Sequence, residues 1–239
     1  MRIVMQKKEE TIMWAIFKKE FKSYFLSPIG YVVIGIFLFV FSVFFYLTAV
    51  ESGSVDLGGL YYYTALYGLM IIVPILTMRM FAEERKTGTE QLILTSPISM
   101  IDVVFGKLLA ALAVIVITLL VSFVYFFIVN YFGAPNITVV LVHMLGFILV
   151  SAAALSIGMF ASSITENQII AGIITIAFLI MSLFMENLNS VFSNLAIMNF
   201  YQKFPSGVIS LSEIIGLVSF TGMFTAFTII VMQRRKLVK

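Results

Sequence analysis

The sequence predicts an all-α integral membrane protein with six transmembrane helices. Of its 239 residues, 61% are hydrophobic and only 11% are charged, whereas soluble domains carry roughly a quarter charged residues. The apolar residues fall in long uninterrupted runs, which indicate helices because the strands of membrane barrels are shorter and alternate in polarity. We therefore expect a single membrane domain that covers residues 1–239.

Six apolar runs are long enough, at about 1.5 Å per residue, to cross a hydrocarbon core of about 30 Å. The expected spans are Ile29–Val50, Leu60–Met78, Val103–Val129, Val139–Ala161, Gln168–Met185 and Leu211–Met232. The second span begins with a tyrosine cluster that suits an aromatic belt at the membrane interface. The first run is too long for the apolar part of a signal peptide, so we expect it to be retained.

Residues 1–27 form a basic head before the first span. Aromatic residues recur there at helical spacing, and lysines fill the positions between them. This pattern predicts an amphipathic helix that lies in the membrane interface with its lysines toward anionic lipid. The expected interface residues are Trp14, Phe17, Lys18, Lys19, Phe21 and Lys22. The alternative is an ordinary basic flank of the first span, from which Pro28 separates the head.

Lysine and arginine are distributed unevenly between the two ends of the predicted bundle. If the chain crosses the membrane six times, all 15 except Lys203 lie on the side that carries both termini. The positive-inside rule then places both termini and residues 79–102 in the cytosol. An odd number of spans would put the basic tail outside, so the charges favour an even number.

Residues 79–102 form the long polar passage between hydrophobic spans. We expect the second span to continue as a helix through Lys86 and to end at a left-handed cap on Gly88. Thr89 is expected to cap a short helix that begins at Glu90. The passage therefore predicts a helix, a break and a second, short helix.

Three smaller segments have a mixed pattern. Leu92–Leu94 are apolar within a polar loop, and such residues usually need a surface to cover them. Residues 162–167 are expected to form a tight turn in which Thr165 and Gln168 make a capping box for the fifth span. In residues 186–210 apolar and polar residues alternate, which predicts short helices at or in the outer leaflet, or a lid on the outer helix ends.

Motifs for catalysis are sparse. The chain has no cysteine, which excludes disulfides, thiol catalysis and cysteine-ligated metals. The lone histidine, His143, is expected at the outer membrane interface with a solvated or hydrogen-bonded ring. Gly106-Lys107 lacks the upstream glycine of a phosphate-binding loop, so we expect this chain to bind neither ATP nor another cofactor itself. The bases flank membrane spans, so nucleic acid is not an expected partner.

The stretch LTMRMFAEERKTGTEQLILTSPIS resembles the first cytoplasmic loop of permeases of the ABC-2 transporter family. More narrowly, it is similar to the gliding-motility-type and nitrous-oxide-accessory-type permeases. The shared features are the acidic and basic run, the Ser-Pro pair after it, and Gly106-Lys107 early in the third span. The stretches FKKEFKSYFLSPIGYV and FPSGVISLSEIIGLVSF resemble the same group.

The resemblance implies an interfacial elbow helix, six spans and a re-entrant helical segment before the sixth. Such permeases pair with a second permease copy or a paralogue and with two cytosolic ATPase subunits, which bind ATP and magnesium. An extracytoplasmic auxiliary subunit joins some of these complexes. The resemblance also implies a prokaryotic cell (inner) membrane, substrate export driven by ATP, and a path lined by spans two and five.

In this family the first loop supplies a coupling helix that sits in a groove of the ATPase. Carried over by position, this contact would be formed or shaped by Glu83, Glu84, Arg85, Gly88, Thr89, Glu90 and Leu94. A smaller second contact would come from Ser163, Thr165 and Glu166. The alternative for residues 83–86 is a solvated charged face with pairs inside one helix. The alternative functions are a membrane-embedded enzyme and a membrane scaffold that does not transport.

Overall fold

The computed structural model describes residues 2–51, 57–132, 135–185 and 196–238. Every regular element in these ranges is helical, which confirms the all-α prediction. The helices are α1 (Arg2–Leu26), α2 (Ile29–Phe45), α3 (Leu57–Tyr63), α4 (Leu69–Thr77), α5 (Ala82–Lys86), α6 (Glu90–Thr95), α7 (Met100–Ser122), α8 (Val124–Phe132), α9 (Ile137–Ile164), α10 (Gln168–Met185) and α11 (Leu211–Val238).

Within the described ranges, six helical stretches are long and apolar enough to cross a membrane. They are Ile29–Thr48, Leu57–Lys86, Met100–Tyr131, Ile137–Ile164, Gln168–Met185 and Leu211–Leu237. Each predicted span overlaps one of them. The second stretch is interrupted twice, by a π-helical segment at Thr64–Gly68 that joins α3 to α4 and by a turn over residues 78–81.

Helix α9 is the centre of the bundle. It packs against α4, α7, α10 and α11, and it buries small and apolar residues along its whole length. Gly158 lets α4 approach, because a β-carbon at this position would lie 2.8 Å from Cβ of Thr77. Small residues allow membrane helices to pack closely, so the other spans are arranged around α9.

Helix α1 is longer than predicted and does not stand apart from the bundle. It begins at Arg2 and packs along α7. Gly106 makes room for it, since a β-carbon there would lie 2.9 Å from Cγ2 of Ile16. Pro28 lies in the break between α1 and α2, as predicted.

Four segments meet at one end of the bundle, which we call the basic face. They are residues 12–27, 78–102, 162–167 and 233–238, joined by ion pairs and hydrogen bonds. Both ends of the chain therefore lie at the same end of the bundle, as an even number of crossings requires.

The opposite end carries the predicted segment 186–210, of which residues 186–195 lie outside the described residues. Its described part forms tight helical turns at Ile197–Phe200 and Phe204–Ser206, which pack against α9 and the start of α3 or α11. This packing favours the alternative of a lid on the helix ends. The ring of His143 is not solvated, because it is buried beside Tyr61, with 5.5 Å between ring centroids, and its place at the membrane interface stays a prediction.

Candidate functional site

A sharp corner joins α4 to α5 on the basic face. A turn over residues 78–81 precedes α5. The Oγ atom of Ser162, on α9, accepts hydrogen bonds from the N–H groups of Phe81 and Ala82, each at 3.1 Å. The prediction of one continuous helix through Lys86 is therefore wrong, because these two N–H groups bond to another helix instead of the preceding turn.

Gly88 ends α5. Its φ of 77° lies in the left-handed region, and its N–H group donates to the carbonyl of Arg85 at 3.1 Å, so the predicted glycine cap is confirmed. The predicted side-chain cap at Thr89 is wrong, because the backbone of this residue is already helical. Its hydroxyl instead donates to the carbonyl of Glu84 at 3.3 Å. We call residues 82–95 the α5–α6 unit.

Charged side chains join the α5–α6 unit to α9 and α11. Nε of Arg85 lies 3.1 Å from Oε2 of Glu90, and Nη2 of Arg85 donates to the carbonyl of Ser163 at 2.8 Å. Nη1 of Arg235, near the end of α11, lies 3.4 Å from Oε1 of Glu90. The Arg85 and Glu90 side chains are each only 7% exposed. A solvated charged face is therefore wrong for Arg85, and the Arg85–Glu90 pair braces the unit from inside.

Glu84 faces Lys107 on α7. Nζ of Lys107 lies 2.8 Å from Oε1 of Glu84 and 3.2 Å from Oε1 of Glu20 on α1. It also lies 5.3 Å from the centroid of the Phe81 ring, where a cation is attracted to the aromatic face. Burial raises the pKa of Glu20, but the attraction of Lys107 and Lys19 outweighs it, so this pKa lies below its ordinary value.

The end of α11 also holds the chain beyond α6. Nζ of Lys236 donates to the carbonyl oxygens of Ser96 at 3.0 Å and Ile98 at 2.8 Å. Ser99 then begins α7, because its Oγ accepts a hydrogen bond from the N–H of Ile101 at 3.3 Å. The α5–α6 unit is thus fixed at both of its ends.

The outward face of the α5–α6 unit consists of polar residues and one large apolar residue. Its exposed residues are Lys86, Thr87, Gly88, Thr89, Gln91, Leu92 and Thr95. Leu92 is 72% exposed, whereas Leu94 is buried in the hydrophobic core. The chain itself therefore covers Leu94, and Leu92 still lacks a cover. Glu83 forms an ion pair with Arg79, with 2.6 Å between Oε1 of Glu83 and Nη2 of Arg79.

The loop between α9 and α10 lies beside this unit. Ser163 is buried, Thr165 is half-buried and Glu166 is exposed. The predicted capping box of Thr165 and Gln168 is wrong, because the side chain of Asn167 caps α10 by accepting from the N–H two residues later at 2.9 Å. Oγ1 of Thr165 accepts from the N–H of Asn167 at 3.2 Å, so it shapes the turn before the helix.

A cleft of about 460 Å³ opens between α6, the α9–α10 loop and the end of α11. It is lined by Arg85, Gly88, Glu90, Gln91, Leu94, Glu166, Arg234 and Arg235. Because Gly88 and Gln91 belong both to this lining and to the outward face of the α5–α6 unit, the cleft and that face form one surface.

Helix α1 carries a row of stacked aromatic rings next to its exposed lysines. The Trp14 and Phe17 rings stack with 4.7 Å between centroids, and Phe21 stacks on Phe17 at 5.7 Å. Nζ of Lys18 lies 5.6 Å from the centroid of the Trp14 ring. The exposed lysines of α1 are Lys18, Lys19 and Lys22. The predicted helix is present, and its amphipathic contact with lipid stays a prediction.

Two residues of the site, Ser162 and Arg235, were not singled out from the sequence, and Lys107 was noted only as part of the Gly106-Lys107 pair. Nothing local distinguishes Ser162 from the neighbouring Ser163. Lys107 does carry a signal, because a charged residue within an apolar span usually has a buried partner. Arg235 has only its place in a basic tail.

The arrangement is thus an exposed helical unit that three other helices support from behind. Residues 61–235 match the model of a family described as ABC-2 family transporter protein. The chain belongs to the ABC-2 transporter family. A comparison with curated proteins finds no match. This ABC-2 permease is therefore a multi-pass membrane subunit of an ABC transporter, a transport component whose general partner is an ABC ATPase.

Proposed function

We propose that this ABC-2 permease couples ATP hydrolysis by a separate ATPase to the export of a substrate. Two permease chains, either copies or paralogues, would combine with two ATPase subunits that bind ATP and magnesium. The basic face would lie in the cytosol of a prokaryotic cell, below the inner membrane. The resemblance of the central loop supports the gliding-motility-type or nitrous-oxide-accessory-type subfamily, with an extracytoplasmic auxiliary subunit as a further partner.

The α5–α6 unit is the observation that carries this proposal. A segment that transmits force needs firm attachment to the spans and an accessible surface for its partner. The Ser162 cap and the Arg85–Glu90 pair supply the attachment. Leu92 and the polar residues around it supply the accessible surface.

The test compares two leucines with equal exposure, at opposite ends of the bundle. Leu92 on the α5–α6 unit and Leu211 at the start of α11 are both 72% exposed. The tagged chain is purified from its own membranes, and its ABC ATPase is identified by mass spectrometry. Leu92→Gln should lower both ATPase binding and the stimulation of ATP hydrolysis in lipid nanodiscs, whereas Leu211→Gln should preserve both.

Equal behaviour of the two variants would contradict the role of the α5–α6 unit. An ATPase rate that is the same with and without the permease would contradict coupling altogether, and would favour a scaffold that does not transport.

The orientation has its own test, because the chain contains no cysteine. Thr87→Cys and Asn136→Cys each place one thiol at an exposed position, on the basic face and at the opposite end. A membrane-impermeant maleimide should label Asn136→Cys in intact cells and Thr87→Cys only after the membrane is opened. The reverse pattern would overturn the proposed orientation.

A further inference from the structure

Lys107 is a buried cation between two carboxylates that come from separate elements of the basic face. Its Nζ atom lies 2.8 Å from Oε1 of Glu84 in α5 and 3.2 Å from Oε1 of Glu20 in α1. Burying a charge is costly unless it is paired, and Lys107 is only 2% exposed. The two carboxylates and the Phe81 ring therefore replace the water that an exposed ammonium group would bind.

Helix α1 reaches this lysine because the preceding residue has no side chain. A β-carbon at Gly106 would lie 2.9 Å from Cγ2 of Ile16 and 3.2 Å from the carbonyl oxygen of Met13. Contacts below 3.0 Å are essentially never seen for real β-carbons. The absence of a side chain at Gly106 thus lets α1 pack against α7, and Lys107 forms an ion pair with Glu20 of α1 there.

Arg85 of the α5–α6 unit is hydrogen-bonded to α9, and Glu90 is paired with Arg235 of α11. Glu84 is the residue whose ion pair leads to α1, by way of Lys107. Lys19 of α1 also approaches Glu84, at 4.0 Å, but its side chain is 69% exposed, and exposed ion pairs contribute little. The electrostatic link between α1 and the unit therefore depends mainly on Lys107.

We propose that Lys107 is a positioning residue that fastens α1 to the α5–α6 unit, so that the two move as one body. This inference rests on the proposed function and extends it to the amino-terminal helix. A displacement of the unit by the ATPase would pull on Glu84, and through Lys107 it would reach α7 and Glu20 together. Helix α1 would then move together with the α5–α6 unit when the ATPase acts on that unit.

The first test measures the distance between α1 and α5 in the full chain. Lys22→Cys and Thr87→Cys place spin labels at two exposed positions, without any background from other cysteines. Double electron–electron resonance in lipid nanodiscs should give a narrow distance distribution. Adding Lys107→Met should broaden it, because methionine keeps most of the side-chain volume but removes the charge. Adding Lys107→Arg instead should keep the distribution narrow.

Lys203→Met is the matched control. Nζ of Lys203 lies 2.9 Å from Oε1 of Glu213, whose side chain is 6% exposed, so this variant also deprives a buried carboxylate of its cation. It should leave the α1–α5 distribution narrow, because Lys203 lies at the other end of the bundle. Where Lys107→Met does not fold, Glu20→Gln replaces it, since Glu84 then keeps its cation. An unchanged distribution in either folded variant overturns the proposal.

The second test adds the ATPase to the nanodiscs. Lys107→Met should retain ATPase binding but lose the stimulated part of the hydrolysis rate, whereas Lys203→Met should retain both. A Lys107→Met chain that stimulates the ATPase normally overturns the role in coupling. If the unmodified chain neither binds nor stimulates an ATPase, the proposed function fails instead, and the α1–α5 distances still decide whether Lys107 fastens the two elements.

Discussion

Replacing Ser162 with alanine removes one oxygen atom and leaves two backbone donors without their acceptor. The N–H groups of Phe81 and Ala82 both bond to this hydroxyl at 3.1 Å. All three residues are fully buried, so water does not readily replace the lost oxygen. The corner between α4 and α5 must then either open or retain two unpaired donors.

The size of the effect follows from this geometry. A buried donor without a partner costs about 1–3 kcal/mol, and loss of a side-chain helix cap costs about 1 kcal/mol. Because two donors share one acceptor and the corner can relax in part, we expect a total of about 2 kcal/mol. Since about 1.4 kcal/mol corresponds to a factor of ten, the equilibrium constant for opening the corner should rise roughly 30-fold.

Amide hydrogen exchange in lipid nanodiscs measures this opening. Ser163→Ala is the matched control, because this serine is equally buried but donates to the carbonyl of Phe160 in its own helix, at 2.7 Å. Loss of the Ser163 hydroxyl leaves no buried N–H group without an acceptor. Exchange at Phe81 and Ala82 should accelerate in Ser162→Ala and stay unchanged in Ser163→Ala. Equal effects, or unchanged exchange in Ser162→Ala, would refute the reasoning.

Two glycines provide further predictions, with thermal unfolding in detergent as the measurement. Gly88→Ala forces a side chain into a φ of 77° and should cost about 1–2 kcal/mol, whereas Gly35→Ala, in a helix and equally free of neighbours, should be neutral or stabilising. Equal stability of these variants would mean that the cap tolerates a side chain. Gly158→Ala pushes a methyl group into α4 and should cost about 1–3 kcal/mol. Gly222→Ala faces open space and should leave the unfolding temperature unchanged. If Gly158→Ala also left the unfolding temperature unchanged, α4 and α9 would not be closely packed.

The spans could be predicted from the sequence because the signal for each lies within one stretch of chain. An apolar run as long as the bilayer core is visible locally, and all six predicted spans overlap helices of the structure. The cap at Gly88 is predictable for a similar reason, since it depends on the backbone freedom of a single residue.

The internal bonds of the basic face could not be predicted, because their partners lie far apart along the chain. The Ser162 cap joins residues 81 positions apart, and the pair between Arg235 and Glu90 joins residues 145 positions apart. Leu92 and Leu94 are chemically identical and two residues apart, yet the first is exposed and the second is buried. Only the packing of α6 against the bundle distinguishes them.

Arg235 and Lys236 are synthesised long after the α5–α6 unit that they hold. Because a growing chain emerges amino terminus first, Glu90 leaves the ribosome 145 residues before its partner Arg235. The unit therefore gains its last braces only when the sixth span is complete. A truncated chain would lack both of these braces, so the α5–α6 unit reaches its final form only when the membrane domain is whole.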